Sequence, residues 1–139
     1  MTLGVRAGFA LAIIAALVGC DRPAPPLGGV RIDGPYMLVG DVVMVETGKL
    51  ICYQKFTGGC DQRIAAPVVE LGWDDDFIAA AVRKVGAPDE RDYYYIVRDF
   101  DGPRADPARA VKGPFSEEKF VDERRKHGVP GVAPLASDG

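Results

Sequence analysis

Asparagine is absent from the chain, histidine occurs once, at position 127, and serine twice, at 116 and 137. These shortages remove most of the side chains from which nucleophilic and metal-assisted sites are assembled. No Ser/His/Asp or Cys/His arrangement has a local frame, no glycine-rich phosphate loop leads into a helix, and no His/Cys cluster has zinc spacing. Positive charge is not concentrated either. Seventeen Lys and Arg against twenty Asp and Glu give a net charge of -3 with no basic block, so a nucleic-acid partner has no electrostatic footprint. Long apolar runs are missing too. Residues 7–18 fall short of the roughly 17–25 residues that a helix needs to cross a bilayer.

That short run nevertheless has a meaning. Arg6 precedes it, only Gly8 interrupts its apolar character, and it ends in Leu17-Val18-Gly19-Cys20. A basic start, an apolar middle and a small-residue end make the pattern of a secretory signal peptide. A buried helix ending in cysteine is the weaker alternative, because the run has no polar face and a proline-rich stretch follows at once. The tetrapeptide resembles the lipobox of bacterial lipoproteins. The resemblance implies that residues 1–19 are removed and that the Cys20 thiol carries diacylglycerol, with a further acyl chain such as palmitate on the new amino terminus. Two or more chains make anchoring stable where one is marginal. Asp21 is similar to the residue that retains such proteins at the inner membrane, which tilts the expected location to its periplasmic face. Residues 20–29, with three prolines and two glycines after the cysteine, are expected to be an extended tether.

Residues 30–127 are expected to form one globular domain, and residues 128–139 a loosely held tail. Strand signals dominate the body. Residues 36–47 and 50–54 are rich in Val, Met, Ile and Tyr, and Gly48-Lys49 between them suits a two-residue hairpin turn. Residues 92–98 have the highest β-propensity, with Tyr93, Tyr95 and Val97 on one face and Tyr94, Ile96 and Arg98 on the other. The tyrosines read as core and rim of a sheet.

Residues 74–85 are ambiguous, since an acidic start, three alanines and then Gly86 and Pro88 are also helix signals. The preferred reading is a hairpin turning at residues 74–76, with Trp73 opposite Phe77, Leu71 opposite Ala79 and Val69 opposite Ala81. The last element is a helix, with Ser116 as N-cap, Glu117 and Glu118 in the first turn, and Gly128 past the end. Phe115 and Phe120 suit a hydrophobic staple, and the helix is expected to dock through Phe120 and Val121. The fold class is therefore mainly β, a small antiparallel sheet or meander with one C-terminal helix. A second helix over 75–85 would make it α+β.

Cys52 and Cys60 are expected to pair, because export places both in an oxidising compartment. Reduced thiols are the alternative, and redox catalysis is disfavoured by the seven intervening residues. A two-residue turn at Gly58-Gly59 would set Cys60 against Thr57 and Cys52 against Ala65, so a bridge requires a wider loop. Asp74, Asp75 and Asp76 lack the spacing of a calcium loop and read as a turn. Asp89, Glu90 and Asp92 read as solvated charges, and His127 as a cation facing the helix dipole. No catalytic residue, metal site or cofactor is expected.

The segments Val69-Glu70-Leu71-Gly72-Trp73-Asp74-Asp75-Asp76-Phe77-Ile78, Tyr94-Tyr95-Ile96-Val97-Arg98-Asp99 and Gly113-Pro114-Phe115 with Phe120 resemble an uncharacterised family of small bacterial lipoproteins, a domain of unknown function. The likeness covers residues 34–130. It implies a Gly-Trp-Asp turn leading into a strand, a Tyr-Tyr-Ile strand, and a Gly-Pro step before a terminal helix. It implies no activity. The functional expectation is a non-enzymatic binding or interaction module, held to a membrane by its lipid anchor and able to meet an envelope protein partner. Alternatives are an immunity-type or inhibitor lipoprotein, and a small hydrolase using carboxylates such as Glu70 and those at 74–76.

Overall fold

The expected strands find antiparallel partners in the computed structural model, which describes residues 29–40 and 48–136, so that residues 41–47 of the expected strand 36–47 lie outside the described residues. The signal peptide, Cys20 and nearly all of the tether lie outside the described residues. The strands are β1 (Val30–Asp33), β2 (Tyr36–Gly40), β3 (Lys49–Gln54), β4 (Cys60–Ile64), β5 (Val68–Trp73), β6 (Phe77–Lys84) and β7 (Ala87–Val97). A single 3-10 turn, Arg98–Phe100, follows, then α1 (Pro107–Ala110), β8 (Val111–Phe115), α2 (Glu117–His127) and β9 (Ala133–Pro134). They form two sheets, ordered β1-β2-β3-β4 and β8-β7-β6-β5-β9. The protein is mainly β, as composition and pattern indicate.

Side-chain alternation explains how the layers stack. Ile78, Ala80 and Val82 of β6 and Ile96 of β7 share one core with Tyr36, Leu38, Ile51 and Ile64 of the first sheet. Ala79, Ala81, Tyr93 and Tyr95 face the other way, against Phe120 of α2 and Val129 beyond it. The order of layers is thus first sheet, second sheet, then helix with the terminal segment. The faces assigned to the tyrosines from sequence hold, with Tyr94 packing beside the first core and Tyr93 and Tyr95 in the second.

Residues 77–84 are strand, with 75 and 76 in the turn before it and 85 in the turn after it, so the alternative of a second helix over 75–85 is excluded. Ala79, Ala80 and Ala81 are weak strand formers in isolation, yet all three are fully buried. Their cross-strand partners are Tyr95, Tyr94 and Tyr93. Small side chains beside large ones let both layers close on the central strand, and packing overrides local propensity. The expected register of this hairpin is corrected by one residue. Trp73 lies opposite Ile78, Leu71 opposite Ala80 and Glu70 opposite Ala81. The cause is Asp74, whose Oδ1 accepts from the amides of Asp76 and Phe77 while its own N–H donates to the Phe77 carbonyl. This closes the turn around Asp75 and Asp76 alone.

Three other expectations are corrected. Gly48-Lys49 is not a two-residue turn, because Lys49 already pairs with Gly40 inside the sheet. Val121 does not dock. It is 41% exposed, against 3% for Phe120, whose ring stacks on Tyr93 with centroids 5.0 Å apart. Finally, residues 129–135 are held in place instead of trailing loosely. Val129 is buried, and β9 pairs with β5 at Glu70 and Leu71. Gly72 makes this possible, since a Cβ there would collide with the Gly131 carbonyl.

The caps of α2 are as expected. Ser116 accepts from the Lys119 amide, and Gly128 adopts a left-handed φ of 74° while donating to the Arg124 carbonyl. Phe115 and Phe120 both pack in the cluster under the helix.

Candidate functional site

Charged side chains seldom lie in a core unless they are paired, which draws attention to Arg63 of β4 and Asp101 after the 3-10 turn. Their side chains are 1% and 0% exposed. Arg63 Nε donates to both carboxylate oxygens at 3.0 Å, and Nη2 donates to the Gly102 carbonyl at 3.1 Å. The guanidinium also lies over the Tyr53 ring, 5.1 Å from its centroid. The Tyr36 hydroxyl donates to Asp101 Oδ2 at 3.0 Å, and the Gly102 amide donates to Oδ1 at 2.9 Å. Burial, then the charge of Asp101 and its hydrogen bond, push the Tyr36 hydroxyl far above the ordinary tyrosine range, so it stays protonated.

Arg98 continues the cluster to the surface. Its Nη1 meets Asp33 Oδ2 at 2.6 Å and donates to the Asp74 carbonyl at 2.7 Å, while the guanidinium packs over Tyr36. Arg31 donates to the Gly34 carbonyl and to Gln54 Oε1. One end of the two sheets is thereby laced together. The chemistry available is limited by saturation, because each buried polar side-chain atom among the described residues has a partner. The Asp101 carboxylate receives an arginine, a tyrosine and an amide, which holds it in place and leaves it poorly disposed to act as a base or nucleophile.

The cysteines do come together. Cys52 on β3 and Cys60 on β4 form a disulfide with Cα atoms 5.5 Å apart. The wider loop required for it is present, with Gln54 pairing Cys60 and residues 55–59 closing the hairpin through the Lys55 N–H to the Gly59 carbonyl. Cys52 is buried.

The remaining sequence candidates stay apart. Asp74 shapes its turn, and no group of three or more metal-ligating side chains forms among the described residues. Glu70 sits on β5, between Ala81 of β6 and Pro134 of β9. Glu90 pairs with Lys84 at 3.5 Å. His127, in the last turn of α2, lies 3.5 Å from Glu123. On the helix side, an open groove of about 450 Å³ runs between Lys84, Glu90, Tyr93, Phe115 and Glu117.

The sequence reading did not find Tyr36, Arg63, Arg98 and Asp101. Arg63 and Asp101 are 38 positions apart and belong to different layers, so spacing carries no signal for them. No protein family, curated protein or solved structure matches the chain.

Proposed function

We propose that this protein is a lipid-anchored lipoprotein of the bacterial cell envelope whose body is a non-enzymatic interaction module. The observation that carries the reading is the sequence Leu17-Val18-Gly19-Cys20 directly after a basic residue and a short apolar run. Acyl chains on Cys20 hold the body to the membrane, and residues 21–29 space it from the headgroups. The Cys52–Cys60 disulfide supports this location, since such bonds persist outside the reducing cytosol. The body suits binding more than turnover because its buried charges neutralise one another and stiffen one end of the sheets.

Growth with labelled palmitate, followed by envelope fractionation, tests the reading. The wild-type chain takes up label and pellets with membranes. The Cys20→Ala chain takes up none and leaves the membrane fraction. Label on both forms, or an unlabelled wild-type chain in the cytosol, overturns the proposal.

A further inference from the structure

Three large aromatic or indole side chains are exposed in the described body, and all lie at one end of it. Phe56 is 75% exposed in the loop between β3 and β4, Trp73 is 49% exposed at the end of β5, and Phe100 is 59% exposed in the 3-10 turn. The contacts of Arg98 place the β1–β2 turn beside the β5–β6 turn, since it joins Asp33 to the Asp74 carbonyl and sits two residues before Phe100. The Gln54 amide donates to the Pro35 carbonyl, which sets the Phe56 loop against the same β1–β2 turn. Three loops from two sheets therefore converge, each presenting a ring to solvent.

The direction of β1 says which way this end points. The chain arrives at Val30, and β1 runs from there toward Asp33, so the ring-bearing loops lie away from the point where residue 29 leads in. On the proposed anchoring, on which this step rests, they face away from the lipid surface.

Charge narrows the occupant further. Arg63, Arg98 and Lys55 are each occupied by an acidic partner, Asp101, Asp33 and Asp61. Asp74, Asp75, Asp76 and Asp99 remain exposed around Trp73 and Phe100. Arg104 follows on the next loop and Arg109 in α1, with Asp106 between them capping that helix. Carboxylates are in excess, which repels anionic lipid and attracts cations, and aromatic rings are what interface centres favour.

We infer that the end bearing Phe56, Trp73 and Phe100 is a docking surface for the basic surface of a partner protein. The rings supply desolvated contact, and the carboxylates at 74–76 and 99 select lysine and arginine around them.

Trp73 is the one tryptophan of the chain, so its emission reports on this surface directly. The full chain is titrated with a short synthetic Lys/Leu peptide, its Glu/Leu counterpart, and phosphatidylglycerol vesicles. The expected result is a saturable blue shift with the Lys/Leu peptide alone. Affinity falls about tenfold or more in a Phe56→Ser/Phe100→Ser variant and in an Asp75→Lys/Asp76→Lys variant, and holds in Val85→Ser, whose exposed valine lies in the β6–β7 turn. No shift with the Lys/Leu peptide, a shift with vesicles or the Glu/Leu peptide, or equal binding by all variants overturns the inference. The acyl mass of the same preparation is read separately, so loss of the anchor and loss of the docking surface are distinguishable.

Discussion

At the scale of single residues, the strongest commitments of this chain are its buried charges. Removing Asp101 leaves the Arg63 cation without its partner in a site closed to water, so Asp101→Ala is expected to cost about 3–5 kcal/mol in urea unfolding. Tyrosine burial makes a second prediction, at alkaline pH. The Tyr95 hydroxyl is pushed up to about 12 by burial, then by its hydrogen bond to Glu123 and that carboxylate's charge. A group whose pKa is higher folded than unfolded contributes stability that is complete below the unfolded value, about 10, and lost as pH climbs through 12. Stability should therefore fall across that window. In Tyr95→Phe the fall should be shallower, with a remainder because burial also raises Tyr36, Tyr93 and Tyr94. An unchanged slope in the unfolding free energy against pH would contradict it. The cysteine pair was legible in the sequence at this scale, because two thiols in a body expected to be exported have few other fates. The Arg63–Asp101 pair was not, since common residue types far apart in the chain leave no pattern.

At the scale of elements, α2 was legible nearly to the residue because caps act locally, through Ser116 and Gly128. What it buries was less legible. Phe120→Ala is expected to cost about 3–5 kcal/mol and Val121→Ala within about 0.5 kcal/mol, compared by denaturant midpoints at constant slope. The hairpin β5–β6 was legible as a hairpin, but its register was set by one side chain, Asp74, whose hydrogen bonds no alternation rule contains. Two-residue β9 was illegible for a different reason. It has no strand signal of its own and exists because Gly72 leaves the space for residues 131–132 to pass. The disulfide staples β3 to β4, and a loop from Cys52 to Cys60 restricts the unfolded chain by about 2.6 kcal/mol on the entropic account. Cys52→Ala/Cys60→Ala should lose about that much stability while keeping its far-ultraviolet β signature. A variant as stable as the parent would remove the staple from the energetics of this fold.

At the scale of the whole molecule, the mainly β class followed from composition, whereas the division into two sheets did not. Strand periodicity tells which residues share a face, and the stacking of faces is decided by contacts such as Ile51 and Ile64 against Ile78 and Ile96 that emerge only in three dimensions. The same stacking gives the molecule two distinct ends, one where residue 29 leads into β1 and one that gathers Phe56, Trp73 and Phe100. The proposed interaction module, with its aromatic end turned from the membrane, rests on the proposed attachment of lipid at Cys20. The most direct measurement is the intact mass of the protein purified from envelopes in detergent. The account predicts a chain beginning at Cys20 with diacylglyceryl and acyl mass added. A chain that keeps residues 1–19 and carries no acyl mass would contradict it.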